Sequence, residues 1–151
     1  MMRSVIPFCL LFFLVGCGTE LEPSEYGNDI KKTDSAVTIE VQTDTRTVPN
    51  EIPYIIKNQS DHPLTEGRAF VIEKYDDKQK KWLQIPFKKN SAHQLDAWII
   101  DPGSESGGIV NTDQLNRNLT DGDYRLVKDL SSDGDRIVVY DEFTVENDII
   151  Q

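Results

Sequence analysis

Val37-Thr38-Ile39-Glu40-Val41-Gln42 alternates an apolar side chain with a polar one at every step. Successive side chains of an extended strand point to opposite faces, so this spelling buries Val37, Ile39 and Val41 and wets Thr38, Glu40 and Gln42. Ile52, Tyr54 and Ile56 repeat the period, and Asn58-Gln59-Ser60-Asp61 ends it with turn-forming residues. Phe70 and Ile72 begin a further strand that runs on to Tyr75, and Asp76-Asp77-Lys78-Gln79 separates it from Trp82 to Phe87. Ala97 to Ile100 is cut by Asp101-Pro102-Gly103, where proline presets φ and glycine supplies a positive one. Ile109 to Thr112, Tyr124 to Val127 and Ile137 to Val145 complete the set. Nowhere do apolar residues recur at i, i+3, i+4 and i+7 over the roughly 10–12 residues that a helix needs. Residues 36–151 therefore read as an all-β domain, an antiparallel β-sandwich of seven to eight strands.

The composition agrees with one small domain. The chain has 151 residues, 38% of them hydrophobic and 28% charged, enough apolar material for a core. Lys+Arg is 16 against Asp+Glu 26, a formal charge of −10, which argues against a nucleic-acid partner. Two cysteines and two histidines leave too few soft ligands for a zinc centre, and no cofactor is expected.

The N-terminus carries an address. Arg3 is a positive n-region, and Val5 to Val15 is an apolar run broken by Pro7, shorter than the roughly 20 residues of a spanning helix. It ends in Leu14-Val15-Gly16-Cys17, which resembles a bacterial lipobox. Small residues let a protease approach the scissile bond, and the Cys17 thiol is the nucleophile that accepts a diacylglyceryl group. The plain alternative is an ordinary signal peptide with a chance cysteine. The expected organisation is a lipoprotein signal peptide at 1–16, a lipidated Cys17 with a flexible, solvated tether at 17–35, and the sandwich at 36–151. The membrane is then a partner through the lipid, on the outer face of the cytoplasmic membrane. Several acyl chains hold where one does not, since each buried CH₂ contributes about 0.8 kcal/mol. Cys9 leaves with the signal and Cys17 is blocked, so no disulfide supports the fold.

Leu119-Thr120-Asp121-Gly122-Asp123-Tyr124 leads directly into Arg125-Leu126-Val127. This resembles the tyrosine corner of immunoglobulin-like domains, in which a Tyr at the start of a late strand hydrogen-bonds backbone just upstream. Tyr124 is thus a structural residue. Ile55 to Ser60, Phe70 to Tyr75, Trp82 to Pro86, Ile100 to Glu105 and Leu119 to Val127 follow in the order seen in bacterial immunoglobulin-like domains of Gram-positive, Bacillus-type surface proteins. The resemblance covers about Glu51 to Glu146. It implies an Ig-like sandwich used as a scaffold or binding module, and it supplies no catalytic residues. Trp82 and Trp98 are expected to be packing residues.

A search for chemistry finds little. Gly103-Ser104-Glu105-Ser106-Gly107 has Glu105 where a nucleophile elbow needs serine, and reads as a polar hairpin turn. His62 and His93 sit in loop contexts without an evident nucleophile. Asp61, Asp133 and Asp135 come from loops that a sandwich places at one end, which makes them calcium candidates, although turn chemistry alone accounts for Asp133-Gly134-Asp135. Lysines at 78, 80, 81, 88 and 89 flank Trp82 to Phe87; they suit protection of an edge strand, or a basic edge facing an acidic wall polymer. Two functions follow. The first is a non-enzymatic, membrane-anchored module that binds an envelope protein or cell-wall partner through loops or strand edges. The alternative is an inhibitor that presents the Pro102-Gly103 turn or the Asp129–Asp135 loop to a protease or hydrolase.

Overall fold

The computed structural model describes residues 20–30, 35–43, 48–89, 91 and 96–151. Among these residues eleven strands form: β1 (Glu22–Pro23), β2 (Val37–Val41), β3 (Glu51–Asn58), β4 (Leu64–Gly67), β5 (Val71–Asp76), β6 (Lys81–Gln84), β7 (Ala97–Ile100), β8 (Glu105–Asn111), β9 (Gly122–Ser132), β10 (Asp135–Glu146) and β11 (Ile149–Ile150). A 3-10 turn, Thr112–Gln114, follows β8. Among the described residues no helix is long and apolar enough to cross a membrane.

Two antiparallel sheets face each other. The small one is ordered β2-β3-β8, and the large one β1-β6-β5-β9-β10-β11, with β4 joined to β9 and β7 joined to β4. Alternation does the sorting. Ile52, Tyr54, Ile56 and Asn58 of β3 are buried, and the residues between them are half-buried. They meet Ile72, Tyr124, Leu126, Leu130, Val139 and Phe143 from the large sheet in one core. Each fully buried aliphatic or aromatic side chain contributes about 1.5–3 kcal/mol. The architecture is an Ig-like β-sandwich.

Several boundaries differ from the sequence reading. The strand expected from Phe70 to Tyr75 is the second half of a longer one. Glu66 of β4 pairs with Leu130 and Val71 of β5 with Val127, so the chain from β4 into β5 carries two more residues than β9 between the same points. A bulge at Arg68–Phe70 absorbs them and re-aims the side chains. The strand at Trp82 stops at Gln84, because Pro86 has no N–H to continue a ladder. Glu105 and Ser106, expected in a turn, belong to β8 and pair with Lys57 and Ile56; the turn itself ends at Ser104, whose N–H donates to Asp101 O.

Tyr124 closes the corner: its hydroxyl donates to Thr120 O at 2.6 Å and accepts from Thr120 N at 3.0 Å. Asn58 ties the two sheets together. Its side-chain amide donates to His62 O and Ile100 O, and its oxygen accepts from Ser60.

The expected flexible tether is the main correction. Residues 20–30 lie on the large sheet. β1 pairs with β6, with Glu22 opposite Gln84 and Pro23 opposite Leu83. The buried Arg125 guanidinium donates to Ser24 Oγ, Gly27 O and Asn28 O. Composition predicted a solvated segment because polar residues dominate it. Those residues, and the carbonyls between them, satisfy a buried cation instead.

Candidate functional site

The site grows from the inward positions of β4 and β9. Glu66 lies two residues after Leu64, and Lys128 two after Leu126, so alternation turns both charges into the sandwich. Both are buried there, with Glu66 2% and Lys128 1% exposed. Charges in an apolar interior demand partners for every donor and acceptor. Lys128 Nζ reaches Glu66 Oε1 at 2.8 Å, Tyr54 Oη at 2.9 Å and the carbonyl of Gly67 at 3.0 Å. The Tyr54 hydroxyl donates to Glu66 Oε1 at 2.6 Å, and Ser106 Oγ donates to Glu66 Oε2. Burial lowers the Lys128 ammonium below its ordinary range, against the pull of Glu66. Burial also raises the Tyr54 hydroxyl, and its hydrogen bond to Glu66 raises it further.

This network forms the floor of a cleft of about 570 Å³ between the two sheets. Arg68, Phe70 and Trp98 stand on the large-sheet side; Gly107, Gly108, Asn111 and Gln114 stand on the other. The Arg68 guanidinium lies 5.0 Å from the Trp98 ring and bonds Asp96. Gly108 matters for its missing side chain: a Cβ there would lie 2.5 Å from the Tyr54 hydroxyl. Only glycine lets the Tyr54 ring lie across β8.

Two strand edges flank the cleft. Among the described residues β7 pairs only with β4 and β8 only with β3. β1, β2 and β11 also end their sheets: β1 lies beside β6, β11 beside the end of β10, and β2 beside β3, with Val41 N donating to Asp141 of β10. Three of the four exposed large apolar residues among those described sit on these two edges, namely Trp98 (43% exposed), Ile99 (71%) and Ile109 (65%); Val48 is the fourth. Trp98 therefore departs from the packing role expected of it. Trp82 does pack, 8% exposed, under Arg125 and edge-on to Tyr75.

The calcium candidates fare differently. Asp61 and Asp133 do come to one end, each facing His62: Asp61 Oδ1 lies 3.1 Å from one ring nitrogen and Asp133 Oδ2 3.9 Å from the other. Asp135 starts β10 and pairs with Ser132. No three metal-ligating groups converge among the described residues. Asp133 and Gly134 have φ of 50° and 91°, the two positive values that a two-residue hairpin turn requires. The Asp129–Asp135 segment is thus strand plus a tight turn, and Gly103 N is tied to Asn58 O. Cys17 and His93 lie outside the described residues.

Sequence reading missed Glu66, Lys128, Arg68 and the exposure of Trp98. A signal existed for the first two, since a charge at an inward position of a period-two strand announces a buried network. Nothing local announced the others, because two sheets must meet before a cleft exists.

A two-sheet antiparallel sandwich with a tyrosine corner and a cleft at its open edges defines an immunoglobulin-like module. Residues 33–149 match the family described as bacterial Ig-like domain, and the chain belongs to that family. Comparison with curated proteins returns no match. Among solved structures the chain is similar to Pseudomonas fluorescens alkylpurine DNA glycosylase AlkC bound to DNA containing an abasic site analog, at 13% identity and a TM-score of 0.33. That similarity covers 71% of this chain and 30% of the glycosylase, and carries no argument about function.

Proposed function

We propose that this protein is a lipid-anchored, extracytoplasmic binding module without catalytic activity, which takes an extended segment of an envelope protein into the β7–β8 cleft. The observation that carries this reading is the concentration of exposed Trp98, Ile99 and Ile109 on β7 and β8, two strands that each end a sheet beside the cleft. An uncovered edge offers a row of backbone donors and acceptors to an incoming strand, and apolar side chains beside it select what binds. Gly107, exposed and without a side chain, leaves the β8 backbone approachable from the cleft. The buried Glu66–Lys128 pair is saturated by protein partners and serves as a rigid floor. Lipid attachment at Cys17 would hold the module on the outer face of the cytoplasmic membrane.

Selection of peptides on the purified protein, followed by titration, tests the binding half. Trp98→Ala and Ile109→Lys are each expected to weaken a selected peptide at least tenfold, the lysine because a charge on an edge strand opposes pairing. Selected peptides that bind both variants as tightly as wild type would sink the cleft. Palmitate labelling and fractionation test the address: label and membrane retention should vanish together in Cys17→Ala.

A further inference from the structure

On the large sheet, Val71, Glu73, Tyr75, Trp82, Arg125, Val127 and Tyr140 face away from the core. The outer face of a sandwich sheet normally meets water. Here Glu73 and Val127 are fully buried and Arg125 is 1% exposed. What covers them is the segment 20–30. It enters beside β6 as β1 and passes over Arg125, which donates to one hydroxyl and two carbonyls of the segment. Tyr26 reaches Asp129 with its hydroxyl, and the Arg136 guanidinium stacks 5.4 Å from the Tyr26 ring. Asn28 then returns to β6, accepting from Trp82 N and donating to Lys80 O. Below it, Arg125 Nε bonds Glu73 Oε2 and the guanidinium lies 4.6 Å from the Trp82 ring. Every guanidinium nitrogen thus has an acceptor, and two of the three find theirs on the segment.

We propose that residues 20–30 are a strap, locked by Arg125, which fastens the chain next to Cys17 onto the outer face of the large sheet and holds the domain close to the membrane. The positional part rests on the reading of Cys17 as the lipidated residue. Chain arithmetic sets the consequence. Five Cα-to-Cα steps lead from Cys17 to Glu22, a reach of at most about 18 Å, whereas an undocked chain from Cys17 to Val37 could extend about 70 Å. The strap shortens the leash roughly fourfold. It also fixes which edge lies nearest the anchor, because β1 runs antiparallel to β6 and the chain toward Cys17 heads past Gln84 to the Pro86 side.

The strap carries Glu20, Glu22 and Glu25, so a glutamate-specific protease reads its docking directly. In the full chain, cleavage at these sites is expected to be at least tenfold slower in wild type than in Arg125→Gln. Because Arg125 is buried, a strap-side variant, Ser24→Ala with Asn28→Ala, is measured beside it; it leaves the sheet intact and should speed cleavage in the same direction. Equal cleavage rates in wild type and the strap-side variant would overturn the strap. A mass of two chains by light scattering, lost in that variant, would overturn docking within one chain in favour of exchange between copies.

The positional part is read by Förster transfer from a dye on Ser132→Cys to labelled lipid in vesicles carrying the lipidated chain. Transfer should fall at least twofold when the strap-side variant is introduced, and unchanged transfer overturns it. The Cys17→Ala full chain separates the two ideas. Strap protection that persists in that variant, with no palmitate label in wild type, would discard the anchor and leave the strap standing.

Discussion

Gly108 and Tyr54 make one fitted pair. Replacing Gly108 with alanine puts a methyl 2.5 Å from the Tyr54 hydroxyl, 2.7 Å from Cζ and 3.0 Å from Cε1. Overpacking of this kind costs about 1–3 kcal/mol. Tyr54→Phe does not relieve it, since the ring carbons collide as well, whereas Tyr54→Ala does. A double-mutant cycle by chemical denaturation should show coupling for Gly108→Ala with Tyr54→Ala and almost none with Tyr54→Phe. Beneath them, Glu66→Ala leaves Lys128 buried without its counter-charge, a loss of about 3–5 kcal/mol. Glu66→Leu combined with Lys128→Met should cost much less than the sum of the single changes, because no lone charge remains. Tyr54 also sets a response to alkali. Its folded pKa is raised above the ordinary 10.0, so the stability it contributes is complete below pH 10 and fades as the pH climbs past that value. Lys128 works in the opposite sense, since its lowered pKa makes the unfolded chain bind more protons until about 10.5. Thermal melts of wild type against Tyr54→Phe isolate the tyrosine: the wild-type advantage at pH 8 should shrink by pH 11.

Among the elements, the β5–β6 hairpin shows a turn held by one carboxylate. Asp76 accepts from Lys78 N at 2.9 Å, Gln79 N at 3.0 Å and Gln79 Nε2 at 2.8 Å. The backbone bond from Gln79 is the largest cause of its lowered pKa. A depressed carboxylate adds stability that is present above its unfolded pKa and lost as the pH falls through the folded one. Asp76→Asn should therefore lower Tm at pH 7 and cost nothing near pH 2, with melts at both pH values as the check. Strand interiors were legible because alternation is local: Val37 to Val41 and Ile52 to Ile56 appear where the spelling put them. Strand ends were less so. β4 carries one large apolar residue, Leu64, in Leu64-Thr65-Glu66-Gly67, and becomes a strand only because β9 and β7 supply its ladders. β8 hides behind Gly107-Gly108, whose small size suggests a turn until Tyr54 is laid across it.

For the molecule as a whole, the core stands without covalent support. The only cysteines are Cys9 and Cys17, so the sandwich contains none, and a reducing agent should leave its Tm unchanged in calorimetry. A drop of several degrees would mean that chains are linked through these thiols. The sequence by itself determined the all-β class, the antiparallel sandwich, the tyrosine corner and the absence of cysteine from the domain. Each of these is written in short-range terms: the two-residue period, the turn residues, and a tyrosine four positions from its backbone partner. Tertiary structure alone decided the rest. It turned Glu66 and Lys128 towards each other from strands some sixty residues apart, set the sheet-ending strands β7 and β8 on either side of the cleft at Trp98, and drew residues 20–30 over Arg125. These features depend on which surfaces remain after the sheets have packed, and no local pattern of polar and apolar residues encodes that.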